Sequence, residues 1–387
     1  MGWKESSVLE QRKSFIEEYL NGNEDLKSLC IKYGVSEKTG HKWKKRFIEK
    51  GVSGLSDKSK APLKCPKQLD EDTVINLIML KLAHPNWGPK KLLILYIKAY
   101  PYKKPPSLST IHRVLSKAGL IKKRRIRNIS MSKLTNKLEA KEANDVWTVD
   151  FKGWWYSNRE QCLPLTIRDL LSRYILDIKL MQSGTAEAVK EVFKTLFKKY
   201  GLPKVIRSDN GTPFACVNSL LGLTSLSAWW ISLGITPDRI KPGCPYENGS
   251  HERMHADLAR EVQGKISGGI TANQIAIDLW VKEYNTLRPH EALGMKTPSE
   301  VYKKSDIPYI DDSFELEYPI TFLTRKITKD GYIRINGQQI MVSSSIRSMQ
   351  VGLQFKENNE YLLWLAEFPL GIINTERYCF QNINSLQ

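Results

Sequence analysis

A change in the hydrophobic pattern near residue 143 constrains the fold most strongly. The segments "DVWTVDFKGWWY" and "QCLPLTIRDLLSRYILDIKLM" are rich in the apolar and β-branched residues typical of strands. An amphipathic helix, "TAEAVKEVFKTLFKKYGLP", precedes the short apolar strand of "KVIRSDNG", and further helix and strand patterns follow. Strands first, and then strands that alternate with helices, predict an α/β layer on a mixed sheet over residues 143–305.

The C-terminal residues 306–387 change pattern again. They hold about five short strand patterns, which favour a small β-barrel or SH3-like domain. The dipeptides between these strands favour tight turns, and they are Asp330-Gly331, Asn336-Gly337 and Asn358-Asn359.

Residues 1–58 predict a helix-turn-helix domain. A short helix leads to Gly34, where a tight turn needs a positive φ, and Ser36 is the expected N-cap of a second helix. Trp43 is expected in the core, and Gly40 weakens the interpretation that this helix reads bases. Any two-helix hairpin is the alternative. The side chains of the second helix that are predicted to contact DNA are Lys38, His41, Lys42, Lys44, Lys45 and Arg46.

Residues 66–121 predict a second helical set, in which Pro89 lies near a helix N-terminus and Gly119 ends the last helix. We interpret it as a second helix-turn-helix-like domain, so that the N-terminal modules are all-α. A helical dimerisation module is the alternative.

Residues 122–142 predict a basic linker that begins "KKRRIRN". This run, residues 122–128, has almost no apolar content and is interpreted as an arm along a phosphate backbone or in a minor groove. A simple charged linker is the alternative, and nuclear targeting is compatible with the composition alone. Its predicted DNA contacts are Lys122, Lys123, Arg124, Arg125 and Arg127.

The charge supports a nucleic-acid partner. The net charge is +18 and the isoelectric point is near 9.4. Residues 1–145 hold about 31 lysines and arginines against about 15 aspartates and glutamates, so nearly all of the excess lies there. A phosphate-binding N-terminal half is the favoured interpretation, and a merely solvated surface is the alternative.

Other classes of protein are disfavoured. The six cysteines are scattered without a C-x-x-C pair, which argues against a zinc cage and a disulfide framework. No apolar run approaches the roughly 20 residues that span a bilayer, and the first residues lack the apolar core of a signal peptide. We expect a soluble cytoplasmic protein, nucleoid-associated in a bacterium, without a membrane partner.

Three acids lie at the ends of predicted elements. Asp150 lies in the strand "VWTVDF", where a buried carboxylate is costly unless it binds something. Asp209 closes the strand of "KVIRSD", at the sheet edge where α/β sites form, although turn formation alone also explains Asp-Asn-Gly. In "CPYENGSHERMH", Glu247 lies in the loop before the turn at Asn248-Gly249, and Glu252 lies about one turn into the next helix.

Carboxylates in this arrangement suit divalent cations. Mg²⁺ prefers oxygen ligands, and two ions can activate a nucleophile and stabilise the leaving oxygen of a phosphodiester. The basic remainder of the chain would supply affinity for DNA. Weaker candidates are Asn210 and Asn248, for which turn formation and helix capping are sufficient roles, and Asp169, which is interpreted as a hairpin or strand-end acid. For Arg253 the alternatives are a phosphate contact and a surface cation, and for His290 they are a DNA contact or loop-orienting role and, as the favoured interpretation, a structural histidine.

These motifs together resemble a known family. "VWTVDF", "IRSDNGTPF" and "PYENGSHERMHADLARE", followed by "YNTLRPHEALGMKTPSEVY", are similar to the catalytic core of DDE transposases of the insertion-sequence type, which is shared with retroviral integrases. The resemblance covers about residues 143–305. It implies an RNase H-like fold and assigns Asp150, Asp209 and Glu252 as ligands of two Mg²⁺ ions, with Mn²⁺ as a substitute. His251 departs from the usual small apolar residue before the glutamate, and the retroviral zinc-binding module is absent.

The resemblance implies a function and its rivals. We expect a transposase that binds transposon ends, cleaves DNA strands and transfers them to target DNA, acting as a homo-oligomer on DNA with possible accessory transposition proteins. The alternatives are a non-catalytic regulator or target selector derived from a transposase, and an RNase H-like nuclease that cuts without joining.

Overall fold

The computed structural model describes residues 7–22, 24–60, 69–121, 139–216, 219–241, 244, 248–310 and 316–383. The chain divides into two compact units, Met1–Asp70 and Glu71–Gln387. The finer domain boundaries that the sequence suggests stay a prediction. In the described part of the chain, no helix is long and apolar enough to cross a membrane.

The first unit is a helix-turn-helix, as predicted. Its helices are α1 (Val8–Leu20), α2 (Leu26–Lys32) and α3 (Glu37–Lys50). Gly34 has a φ of +62° between α2 and α3, and the Ser36 side chain accepts from the Thr39 N–H at 3.3 Å to cap α3. The buried side chains between the helices are those of Phe15, Ile16, Leu29, Cys30, Trp43 and Leu55.

Gly40 has a packing role that the sequence did not indicate. A Cβ at this position would overlap the Sγ of Cys30 on α2, and it would lie 3.2 Å from the ring of Phe15. Gly40 therefore lets α2 and α3 approach closely, and this contact outweighs the helix propensity that glycine sacrifices. Its presence is no argument against α3 as a DNA-reading helix.

The second unit begins with the second helical set. Its helices are α4 (Glu71–Ala83), α5 (Pro89–Ala99) and α6 (Leu108–Lys117). The Ser107 side chain accepts from the Thr110 N–H at 3.2 Å and caps α6. The side chains buried among these helices are those of Leu77, Trp87, Leu92, Leu95, Tyr96, Ile111 and Leu115.

A mixed sheet forms the centre of the second unit. Its strands are β1 (Val146–Phe151), β2 (Trp155–Ser157), β3 (Glu160–Asp169), β4 (Ile175–Met181), β5 (Val205–Ser208) and β6 (Thr236–Arg239). The order is β2-β3-β1-β5-β6, with β4 also paired to β3. β1 is antiparallel to β3 and parallel to β5, which is in turn parallel to β6. The predicted α/β layer with a mixed sheet is confirmed.

Helices cover both faces of this sheet. They are α7 (Ala186–Tyr200), α8 (Ser225–Ser232), α9 (Gly249–Glu261), α10 (Gly269–Thr286) and α11 (Pro298–Val301). On one face, Trp147 and Val149 of β1 pack with residues of α7 and α8. On the other face, residues of β4 pack with Met254 and Leu258 of α9 and with α10. Because side chains alternate along a strand, Thr148 and Asp150 project toward the α9 face.

The helical set α4–α6 contacts the end of α10 and the segment after it. His84 Nδ1 lies 3.0 Å from Glu283, and Lys98 Nζ lies 2.9 Å from Glu300. Lys90 also pairs with Glu291, so the contact is largely polar.

The C-terminal strands form two sheets. Their bounds are β7 (Phe322–Lys326), β8 (Tyr332–Ile335), β9 (Gln338–Met341), β10 (Gln350–Phe355), β11 (Glu360–Leu365), β12 (Phe368–Asn374) and β13 (Cys379–Asn382). Five strands pair in the order β13-β12-β11-β10-β7, and β8 and β9 form a separate two-stranded sheet connected by the Asn336-Gly337 turn. Within the described residues no strand pairing closes the five-stranded sheet between β7 and β13, so a β-rich domain is confirmed whereas a closed barrel is not shown.

Candidate active site

Asp150 and Asp209 lie side by side on neighbouring strands. In the parallel pair, Val146 is opposite Val205 and Thr148 is opposite Arg207. The same offset sets Asp150 opposite Asp209, which is one residue beyond the end of β5. Paired strands are about 4.8 Å apart, and equivalent positions share a face. The two carboxylates therefore occupy one edge of the sheet, on the face toward α9.

The environment of Asp150 disfavours its negative charge. The side chain is 20% exposed. Burial, and then the charges of Asp209 and Glu252, raise the pKa of Asp150 to about 7, although the Phe151 N–H opposes this. Its near polar neighbours are Asn248 Nδ2 at 3.5 Å and His255 Nδ1 at 3.9 Å.

No lysine or arginine in the described part of the chain pairs with the carboxylate of Asp150. Burial also lowers the pKa of His255 to about 4, so this neighbour is neutral. The uncompensated negative charge makes this edge a favourable place for a cation.

Asp209 is held by its own turn. The Gly211 N–H donates to Asp209 Oδ1 at 3.2 Å, as in an Asx turn. Asn210 donates from Nδ2 to the Ile240 carbonyl at 2.8 Å and so fixes the loop against the chain after β6. The suggested structural role of Asn210 thus has a definite contact.

Glu252 lies in the first turn of α9, and its side chain is exposed. The charge of Glu252 contributes to the raised pKa of Asp150, so Glu252 lies within electrostatic range of that carboxyl group. Among the described residues, however, no three His, Cys, Asp or Glu side chains form a cluster that could hold a metal ion. Glu247 lies outside the described residues. The ligand assignment of the three acids therefore stays a prediction.

A buried polar network beneath α9 was missed at the sequence level. His251 is fully buried, with Nδ1 2.8 Å from Thr148 Oγ1 and Nε2 2.6 Å from Thr166 Oγ1. Arg168 donates to the Ser250 carbonyl at 2.8 Å. The only hint in the sequence was His251 itself, at a position where an apolar residue is usual.

Two of the weaker candidates have structural roles. Asp169 is buried and accepts from the Asn144 N–H at 2.8 Å and from Ser172 Oγ at 2.6 Å, which confirms it as a strand-end acid. His290 is buried against the Tyr284 ring, with ring centroids 4.8 Å apart. Burial and nearby cations lower the pKa of His290 to about 3, so it is neutral and shielded from direct DNA contact.

The predicted DNA-binding residues of α3 differ in exposure. Lys38, His41, Lys42 and Lys45 are exposed. Lys44 and Arg46 are partly buried, because Lys44 Nζ lies 4.4 Å from the Tyr19 ring centroid and the Arg46 guanidinium lies 4.9 Å from that of Trp43. The basic run at Lys122, Lys123, Arg124, Arg125 and Arg127 lies outside the described residues.

Family comparisons agree with this architecture. Models of the integrase core domain match residues 140–245 and 233–298. A helix-turn-helix domain model matches residues 11–62, and a homeodomain-like domain model matches residues 39–115.

Relatives come from mobile elements. A protein of insertion element IS476 of Xanthomonas euvesicatoria is 24% identical over 255 residues, which cover 64% of this chain and 70% of the relative. A protein of insertion element IS407 of Burkholderia multivorans is 28% identical over 238 residues, covering 60% and 82%. The chain thus carries an integrase core domain and a helix-turn-helix region, and it is similar to proteins of insertion elements.

Solved structures similar to this chain include retroviral integrases. The HTLV-2 integrase catalytic core domain in complex with magnesium has a TM-score of 0.34 at 15% identity, covering 43% of this chain and all of that one. The simian T-cell lymphotropic virus intasome has a TM-score of 0.38 at 14% identity, covering 74% and 91%.

Proposed function

We propose that this protein is a transposase, a metal-dependent DDE enzyme that binds transposon ends, cleaves a DNA strand and transfers it to target DNA. The observation that carries the proposal is the position of Asp150 on β1 and of Asp209 directly after the neighbouring parallel strand β5, where the charge of Asp209 helps to raise the pKa of Asp150. The integrase core matches and the mobile-element relatives support the same chemistry.

The residues at this edge fit Mg²⁺. The donor set is carboxylate oxygen, which hard divalent cations prefer, and the raised pKa of Asp150 reflects charge that a cation would stabilise. Asp150, Asp209 and Glu252 would hold the ions, with Mn²⁺ as a substitute. Bound as a pair, such ions supply Lewis-acid activation of the attacking oxygen and stabilise the leaving oxygen.

The protein's other contributions are binding and shielding. The half-buried position of Asp150 limits access of bulk water to one edge of the sheet.

In the proposed reaction, water attacks the phosphodiester at the transposon end, one P–O bond forms while another breaks, and a 3′-hydroxyl is released. That hydroxyl then attacks a target phosphodiester in the same way. The exposed cations of α3 and the basic run after α6 would hold the DNA, in a homo-oligomer that joins two ends.

The test uses labelled DNA with the ends of the element that encodes this chain, a target plasmid and Mg²⁺. We expect cleaved and joined products with the wild-type chain, and neither product with Asp150→Asn, Asp209→Asn or Glu252→Gln. Glu187→Gln is the matched control, because Glu187 is also an exposed acid in the first turn of a helix but lies on α7, across the sheet. It should retain activity.

The outcomes separate the proposal from its rivals. Cleavage without joining would identify a nuclease, and end binding without either product would identify a non-catalytic regulator. Full activity in Glu252→Gln would remove Glu252 from the ligand set, and Glu247 would then be tested in its place.

A further inference from the structure

Helix α9 begins without the usual cap. Asn248, its N-cap residue, makes no side-chain capping hydrogen bond, and its Nδ2 instead lies 3.5 Å from Asp150 Oδ2. The first turns of the helix are tied to the sheet by polar side chains. Arg168 donates from Nη1 to the Ser250 carbonyl and from Nη2 to Ser250 Oγ, at 2.8 and 2.5 Å. The position of this helix start is therefore set by the sheet.

His251 lies where the apolar stripe of α9 would begin. Met254 and Leu258, three and seven residues later, are buried on the same side of the helix. A buried polar ring at such a position costs free energy unless it is fully hydrogen-bonded. Both ring nitrogens have partners, Thr148 Oγ1 at 2.8 Å and Thr166 Oγ1 at 2.6 Å.

The hydrogen bonds of this network connect α9 to both β1 and β3. Thr166 donates its single hydroxyl proton to the Asp150 carbonyl at 2.9 Å. The Nε2 atoms of His251 and His255, at 2.6 and 2.7 Å, must then both donate to Thr166 Oγ1. His251 Nδ1 shares a hydrogen bond with Thr148 Oγ1 at 2.8 Å, and the Thr148 hydroxyl also lies 3.4 Å from the Arg168 carbonyl of β3. Directional hydrogen bonds thus run from α9 to the backbone of Asp150.

We propose that His251 is a positioning residue that fixes Glu252, its neighbour in the chain, relative to Asp150. The inference rests on the proposed function, in which both acids hold the metal. Thr148 lies on β1 and Thr166 lies on the neighbouring strand β3, where Thr166 is opposite Asp150. One histidine ring therefore ties the first turn of α9 to both strands at the level of Asp150. A leucine or phenylalanine would fill the space without fixing the rotation of the helix.

The test measures Mn²⁺ binding to the full chain by titration calorimetry without DNA, together with thermal unfolding. His251→Phe keeps a ring but removes both hydrogen bonds, and Thr166→Val removes one hydroxyl at nearly constant volume. We expect each to weaken Mn²⁺ binding by about 10- to 100-fold, as for residues that orient metal ligands. The double variant should bind Mn²⁺ only slightly more weakly than the single variant with the lower affinity. His251→Gln keeps an N–H donor and should therefore bind Mn²⁺ more tightly than His251→Phe.

The matched control is Thr73→Val. Thr73 is also a buried threonine, and its hydroxyl lies 3.0 Å from Tyr96 Oη within the helical set α4–α6. Its loss should lower the unfolding temperature without changing Mn²⁺ affinity. If His251→Phe and Thr166→Val also lower the unfolding temperature without changing the Mn²⁺ affinity, the inference is overturned. Thr166→Val alone decides the question if His251→Phe does not fold.

Asp150→Asn distinguishes the two levels of proposal. If it removes Mn²⁺ binding while Thr166→Val leaves binding intact, only the positioning role of His251 is wrong. If Asp150→Asn leaves Mn²⁺ binding unchanged, the proposed metal site is wrong, and the inference that rests on it is overturned as well.

Discussion

The two faces of the central sheet hold their helices by different forces, and strand β1 shows both. Trp147 and Val149 pack into an aromatic layer with α7 and α8, whereas Thr148 and Asp150 meet the polar start of α9. Apolar contacts are strong but have little directional preference, so they stabilise a helix without fixing its rotation. Hydrogen bonds contribute less net stability but demand a defined geometry. We therefore expect the face of the sheet that packs on α7 and α8, the aromatic face, to determine the unfolding free energy. The face toward the start of α9, the polar face, should determine the geometry of the candidate active site.

The largest effect on stability is expected from Phe197→Ala on the aromatic face. Phe197 is buried, with its ring centroid 5.8 Å from that of Trp147 and 5.6 Å from that of Trp229. Its truncation should lower the unfolding free energy by about 3–5 kcal/mol, measured by urea unfolding. Strand-transfer activity per folded molecule should be retained at low temperature. A large loss of activity in the folded protein would contradict the division between the faces.

A pH dependence of comparable or smaller size is expected from Asp150. Burial and two neighbouring carboxylates raise its pKa to about 7, against about 3.9 in an unfolded chain. Stability from this group is therefore fully present below about pH 4 and is lost as the pH rises through 7, by no more than about 4 kcal/mol. Asp150→Asn should flatten the profile of unfolding free energy between pH 5 and 8 in EDTA. Equal slopes in the variant and the wild type would show that Asp150 is not desolvated.

Arg168→Met should separate stability from function. Arg168 is fully buried, and burial lowers its pKa to about 10. Loss of its hydrogen bonds to Ser250 is offset by removal of a desolvated charge, so the unfolding free energy should change by less than about 2 kcal/mol. Strand transfer should nevertheless fall by roughly 10- to 100-fold. If Arg168→Met greatly lowers the unfolding free energy but leaves strand transfer unchanged, the polar face contributes to stability rather than to the site.

The smallest effect is expected from Ser250→Ala. This change removes the side-chain contact with Arg168 but keeps the bond from Arg168 to the Ser250 carbonyl. The expected cost is about 0.5–1.5 kcal/mol, with a smaller loss of activity than in Arg168→Met. Calorimetric unfolding and the strand-transfer assay would measure both. If Ser250→Ala is as impaired as Arg168→Met, the backbone bond contributes little to holding α9.

The elements and the acids were predictable because their signals are local. The strand that holds Asp150, the turn after Asp209 and the cap at Ser36 are each encoded within a few residues. That Asp150 and Asp209 lie toward the same edge of the sheet follows from the α/β pattern, because β1 and β5 are parallel neighbours.

The remaining features depend on contacts between distant parts of the chain. The Thr166–His251 bond joins residues 85 positions apart, and the need for Gly40 arises from Cys30 on another helix. The pairing of the C-terminal strands is likewise non-local. In the five-stranded sheet β7 pairs with β10, whereas β8, the next strand in the sequence, belongs to a separate sheet. No local pattern encodes such pairings, so the strand order of the C-terminal sheets did not follow from the sequence.

The alternation along β1 also has a consequence for how the chain avoids misfolding. A slip of one residue against its neighbours would exchange the two faces of the strand. Asp150 would then enter the layer of Phe193 and Phe197, and Trp147 would meet the polar start of α9. Burying an aspartate among aromatic rings costs several kcal/mol. The acid proposed to serve in DNA transfer thus also penalises a misregistered sheet, so a selective pressure that preserves the chemistry preserves the correct pairing of the strands.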